Sequence, residues 1–128
     1  VDKINRFGLD PIVAKLSHVS FVKPEPYLEF LSLLSDARFV LSDSGSIQGE
    51  ASFLDVPCLV ARENTERPIY IDEGACALVG LDIDTIREKI AEIMSGTYKK
   101  PSPTIKTLGD NVGEKIARII FNWNSART

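Results

Sequence analysis

Charge of one sign, cysteine, histidine and long apolar runs are all scarce in this 128-residue chain. Its 15 Lys and Arg and 18 Asp and Glu leave a net charge of −3, with the two signs interleaved. No basic face is available for a phosphate backbone, which argues against a nucleic-acid partner. No apolar run approaches the roughly 18 residues of a membrane span, so no membrane association is expected. The opening Val1-Asp-Lys-Ile-Asn-Arg6 is charged and amphipathic, unlike a signal peptide. It also lacks an initiating methionine, so we read the chain as a fragment or a processed form. The two cysteines, Cys58 and Cys76, match no metal-site spacing, and the single His18 cannot complete one. No metal is therefore expected. Each cysteine sits in an apolar run, which reads as a buried reduced thiol in a cytoplasmic protein. A catalytic role for His18 finds no support in its surroundings; it reads as a strand-entry residue.

What remains is a soluble globular composition, 44% hydrophobic and 26% charged, of a length that suits one domain. The most informative stretch runs from Phe39 to Leu54. Phe39, Val40 and Leu41 suit a buried strand. Ser42-Asp-Ser-Gly-Ser46 makes a turn of small residues. A short helix follows, roughly Ile47 to Leu54, with Ile47, Ala51 and Leu54 on its apolar face. The first turn of such a helix has backbone N–H groups without intrahelical partners and the positive end of the helix dipole. Gly45 permits an unusual φ and close approach of a ligand. Hydroxyls on Ser44 and Ser46 can donate to oxygen, so the turn can cradle a phosphate. The same residues also describe an ordinary loop with an N-cap, worth about 1 kcal/mol and needing no ligand. The Gly-Lys-Ser/Thr ending of a P-loop is absent. So is the dinucleotide fingerprint, since the turn holds one glycine.

Along the rest of the chain, Val1–Phe7 reads as the end of a helix stopped by Gly8, and Pro11–Leu16 as a connecting helical turn. His18–Val22 reads as a strand. Tyr27–Ser35 reads as an amphipathic helix with Tyr27, Leu28, Leu31 and Leu34 toward the core. After the central stretch, Asp55 and Pro57 bracket a tight turn into the strand Cys58–Ala61. A charged loop, Arg62-Glu-Asn-Thr-Glu-Arg-Pro68, lies just beyond that strand's C-terminal end, where open α/β sheets place ligand contacts; from charge alone a solvated surface loop is the favoured reading. Ile69–Asp72 reads as a helical turn and Ala75–Val79 as a strand. Asp82 caps a helix to about Met94, ended by Ser95-Gly96. Residues 97–107 form a loop, and Asn111–Trp123 a closing helix with Val112, Ile116, Ile119, Ile120 and Trp123 inward. Four strands alternating with helices predict an α/β fold with a parallel sheet.

The ordered run Asp43-Ser-Gly-Ser-Ile-Gln-Gly-Glu-Ala51, Val56-Pro-Cys-Leu-Val-Ala-Arg-Glu-Asn-Thr-Glu-Arg-Pro68 and Glu73-Gly-Ala75 resembles the UDP-N-acetylglucosamine 2-epimerase family. Its usual wording is Asp-Ser-Gly-Gly-Ile-Gln-Glu-Glu-Ala, Pro-Val-Leu-Val, Arg-Asp-Thr-Thr-Glu-Arg-Pro and Glu-Ala-Gly. Gly109-Asp110 is similar to the Gly-Asp-Gly segment before the family's last helix. The resemblance implies a Rossmann-like parallel sheet with flanking helices, the partial C-terminal domain of a GT-B architecture. The first domain and the family's His-Pro-Arg-Thr stretch are absent from residues 1–128.

The family interconverts UDP-N-acetylglucosamine and UDP-N-acetylmannosamine by eliminating UDP across C1 and C2 and re-adding it. The groups that move protons lie elsewhere, so the resemblance implies no catalytic residue in this chain and no cofactor. It assigns UDP binding to Ser44, Gly45 and Ser46 at the pyrophosphate, Glu50 at the ribose hydroxyls and Arg67 at the phosphates. Gln48 and Thr65 are further candidates. Ser46 replaces a glycine, which is tolerable only at negative φ. Gly49 replaces a glutamate at a cost of about 1 kcal/mol inside a helix. The resemblance further implies a homodimer in the full-length enzyme. A GT-B UDP-sugar glycosyltransferase and a non-catalytic nucleotide-binding module are the alternatives; the Gln48–Glu50 spacing and Glu66-Arg-Pro68 favour the epimerase. If the sheet normally has about six strands, His18–Val22 and Phe39–Ser42 flank strands missing here. Bare edges then make the isolated chain unstable or self-associating.

Overall fold

Residues 2–73, 75–98 and 111–125 are described by the structure, a computed structural model. They fall into two compact units divided between Phe30 and Leu31.

In the first unit, α1 (Asp2–Arg6) ends where Gly8 takes φ +63°, and α2 (Asp10–Val13) carries Pro11 in its first turn, where a missing N–H costs nothing. The strand expected at His18–Val22 does not form; this segment has no regular structure, and Val19, Phe21 and Val22 are exposed. A strand exists only while a neighbour takes up its N–H and C=O groups. Here no strand takes up those groups, and the Val19 N–H donates to Leu16 O at 3.2 Å instead.

The division falls within α3 (Tyr27–Ser35). Leu34 is buried and Leu31 half-buried as the helical pattern requires, but Tyr27 and Leu28 are exposed rather than in the core. The second unit then alternates strictly: β1 (Val40–Ser42), α4 (Gly45–Phe53), β2 (Cys58–Val60), α5 (Ile69–Asp72), β3 (Cys76–Leu78), α6 (Ile83–Ser95) and α7 (Val112–Ser125). The sheet is parallel with order β1-β2-β3, in register Val40–Cys58–Cys76. The fold is thus α/β with three strands in the sheet among the described residues.

Position in the sheet explains composition. β2 is central and its three residues are fully buried, which is why Cys58-Leu-Val60 has no polar member. The Cys58 thiol is pushed up from its ordinary pKa by its hydrogen bond to Cys76 and by burial; both thiols are free and buried. Among the described residues β1 has a strand neighbour, β2, on one side only, and Leu41 is 45% exposed. Between α4 and β2, Asp55 takes φ +60° and the Val56 N–H donates to Ala51 O at 2.8 Å, turning the chain within four residues. The Asp82 carboxylate accepts from the Thr85 N–H at 2.7 Å at the start of α6, and Gly96 at φ +74° ends it. The apolar side chains of α7, Val112, Ile116, Ile119, Ile120 and Trp123, are exposed rather than in the core. Most of the loop expected at 97–107, and Gly109-Asp110, lie outside the described residues.

Candidate functional site

α4 begins two residues earlier than its apolar pattern suggests and buries a different face. Gly45 is its first residue, and Ser44 holds the N-cap position with φ −78° and ψ 126°. The Ser44 hydroxyl makes no capping bond to the helix; its backbone N–H instead donates to Ser42 Oγ at 3.1 Å. The ordinary N-cap reading of this turn therefore lacks the hydrogen bond that defines it. Neither Gly45 nor Ser46 has positive φ, so serine is accommodated at 46 without strain, and Gly45 is not there for an unusual φ.

Glycine at 45 leaves room for the side chains of the following loop. A Cβ there would stand 2.9 Å from Glu66 Oε1 and 3.5 Å from Arg67 Nε. The loop after β2 has closed onto the first turn of the helix. At about 100° per residue, Gly45, Gln48, Gly49 and Ser52 share one face, and each seats a piece of the chain that follows β2. Gly45 seats Glu66 and Arg67. Gln48 Oε1 accepts from the Thr65 hydroxyl at 2.8 Å. Gly49 seats the Tyr70 phenol, whose oxygen would lie 2.9 Å from a Cβ at 49. Ser52 Oγ accepts from the Ala75 N–H at 3.2 Å and lies 3.4 Å from Cys76 Sγ. Gln48, Ala51 and Ser52 are buried, whereas Ile47 and Leu54, expected inward, are half-buried. Small size and hydrogen bonding, more than apolarity, dock this helix.

The covering loop is held by its own bonds. Thr65 Oγ1 also accepts from the Arg67 backbone N–H at 3.1 Å. Arg62 Nη1 pairs with Glu66 Oε2 at 3.2 Å, four residues on. The Glu66 carboxyl is held below its ordinary pKa by a hydrogen bond from its own backbone N–H, then by the charges of Arg62 and Arg67. The Arg67 guanidinium thus stands beside the positive end of α4, while Arg62 is paired with Glu66.

The structure brings together Ser44, Gly45, Gln48, Thr65 and Arg67. Ser46 and Glu50 stand one turn apart on a neighbouring face of the helix, Ser46 exposed and Glu50 half-buried. Sequence reading missed Glu66 and Tyr70 as neighbours of α4. The available signal was the pair of glycines at 45 and 49, four apart on one helix face, which marks close approach by another segment. An opening of about 470 Å³ lies between β3 and α6. Its charged groups Lys89 and Glu92 neutralise each other at 2.8 Å, leaving no charge for an anion. No cluster of metal-ligating side chains and no helix long and apolar enough to cross a membrane occurs among the described residues.

A parallel α/β sheet with a charged loop over a strand–turn–helix at the C-terminal ends of its strands defines the class of Rossmann-like ligand-binding domains. Within that class the comparison with known proteins is specific. The UDP-N-acetylglucosamine 2-epimerase family model matches residues 3–121, and the chain belongs to that family. It is 36% identical over 120 residues to the UDP-N-acetylglucosamine 2-epimerase of Methanococcus maripaludis, covering 93% of this chain and 32% of that protein. The solved UDP-GlcNAc 2-epimerase of Methanocaldococcus jannaschii superposes with a TM-score of 0.79 at 32% identity, over 94% of this chain and 33% of that one. The same enzyme in complex with UDP-GlcNAc and UDP gives a TM-score of 0.75 at 33% identity, with the same two coverages of 94% and 33%. The chain therefore spans about a third of the length of the relatives it matches.

Proposed function

We propose that this chain is the UDP-binding part of a UDP-N-acetylglucosamine 2-epimerase, the partial C-terminal domain of a two-domain GT-B enzyme that acts in the cytoplasm as a homodimer. Its partner is UDP or a UDP-sugar. The observation that carries this reading is the closure of the Arg67 loop onto the first turn of α4, 3.5 Å from a Cβ at Gly45. The diphosphate lies against the N–H groups of that turn, with Ser44, Gly45 and Ser46 around it and the Arg67 guanidinium neutralising it. Ser46 and Glu50 share a face, so a ribose extending from the diphosphate along that face meets the Glu50 carboxylate, which accepts from two hydroxyls. When the bond from C1 of the sugar to UDP breaks, charge develops on the departing phosphate oxygen. These donors stabilise it, and the proton transfers at C2 belong to the part of the enzyme outside this chain.

The test is calorimetric titration of the full-length protein with UDP. Arg67→Ala and Glu50→Ala should each weaken binding by about tenfold or more, the scale of a lost hydrogen bond to a charged group. Wild-type affinity in both variants would place the nucleotide elsewhere.

A further inference from the structure

Gln48 and Thr65 carry chemistry that the nucleotide site does not directly use. Gln48 is completely buried, so no ligand at the surface can reach it. It is the largest polar side chain of the core, and its Nε2 has no hydrogen-bond partner among the described residues. An unpartnered buried donor is destabilising. Methionine or leucine would fill a similar volume without that penalty. What the amide supplies instead is Oε1, the acceptor for the Thr65 hydroxyl at 2.8 Å.

That bond has a directional consequence. A hydroxyl has one proton and two lone pairs. With its proton committed to Gln48, Thr65 Oγ1 presents a lone pair to the Arg67 backbone N–H, 3.1 Å away. The buried helix, the hydroxyl and the Arg67 backbone form one chain of hydrogen bonds that crosses from α4 to the loop. Arg67 itself is exposed. Holding a long cationic side chain in place in advance removes part of the entropy lost on binding.

We propose that Gln48 and Thr65 are positioning residues that act through Arg67, setting its backbone so that the guanidinium faces the nucleotide phosphates. The proposal rests on the site reading given above and replaces direct contact of Gln48 and Thr65 with the nucleotide.

The experiment is UDP titration of the full-length protein carrying Thr65→Val, Thr65→Ser, Gln48→Met, Arg67→Ala, and Thr65→Val combined with Arg67→Ala. Valine preserves the shape of threonine and removes the hydroxyl. Thr65→Val and Gln48→Met should each weaken UDP by about tenfold, within the range measured for directly coupled pairs. Thr65→Ser, which keeps the hydroxyl, should stay within about twofold of wild type. In the Arg67→Ala background, Thr65→Val should change affinity no further, because there is no guanidinium left to position. A general loss of packing would not vanish in that background. The same loss with and without Arg67 overturns the proposal, as does wild-type affinity in Thr65→Val. If Arg67→Ala alone leaves UDP binding intact, the site reading fails first and the proposal with it. If Arg67→Ala weakens binding and Thr65→Val adds its full loss, the site stands and only the positioning role falls.

Discussion

Gly49 and Tyr70 are complementary in size: a Cβ on Gly49 would stand 2.9 Å from the Tyr70 hydroxyl oxygen and 3.2 Å from its Cζ. The family resemblance places glutamate at position 49, so glycine there reads as a defect in the helix until the partner is seen. The phenol of α5 occupies the space that a side chain at 49 would need.

This contact predicts a non-additive pair. Glycine inside a helix costs about 1 kcal/mol relative to alanine. In the intact protein, Gly49→Ala must displace a rigid aromatic ring, so that gain is cancelled or reversed. In a Tyr70→Ala background the same substitution should stabilise by about 1 kcal/mol. Chemical denaturation of the four variants measures it. A full gain from Gly49→Ala with Tyr70 present would show that the ring does not restrict position 49.

Tyr98 makes a pH-dependent contribution. Burial, followed by the charges of Cys76, Cys58 and Glu92, pushes its phenol up to about 12, and its hydroxyl donates to Ala75 O at 3.4 Å. The ordinary value is about 10. Below pH 10 both folded and unfolded states keep the proton, and the contribution is fully present. Between about 10 and 12 the unfolded state ionises first, so stability falls as pH rises through the folded value. The ultraviolet difference titration of wild type against Tyr98→Phe should show a midpoint near 12, and the variant should lose less stability over that interval. A midpoint near 10 for the folded protein would refute the burial.

The open side of β1 predicts self-association. Among the described residues β1 pairs only with β2, and Leu41 on it is 45% exposed. Unpaired strand edges bearing apolar residues recruit other strands, and lysine on an edge opposes this. The 128-residue chain should sediment with concentration-dependent mass, and Leu41→Lys should shift it toward monomer. A wild-type chain that stays monomeric at high concentration would count against an active edge.

The legible parts of the fold were those set by local rules. Apolar runs marked β1, β2 and β3; Asp82 and Gly96 marked the ends of α6; and Gly8 marked the end of α1. The ordered motif from Asp43 to Ala75 also identified the family from the residues alone. His18–Val22 was misread because alternating apolar residues state a preference for strand without supplying the neighbour that satisfies it. Tyr27, Leu28 and the apolar face of α7 were misread for a related reason: amphipathicity shows which face would be buried, not whether anything in this chain covers it.

By itself, then, the sequence determined the α/β alternation and the family. These follow from propensities and spacings that act over a few residues. The tertiary structure decided which face of α4 is buried. It also paired Gln48 with Thr65, Gly49 with Tyr70, and Gly45 with Glu66 and Arg67. Those pairings join residues 17 to 22 positions apart in the chain. They depend on how close two backbones come, and that distance is set by the register of the parallel strands rather than by any local preference.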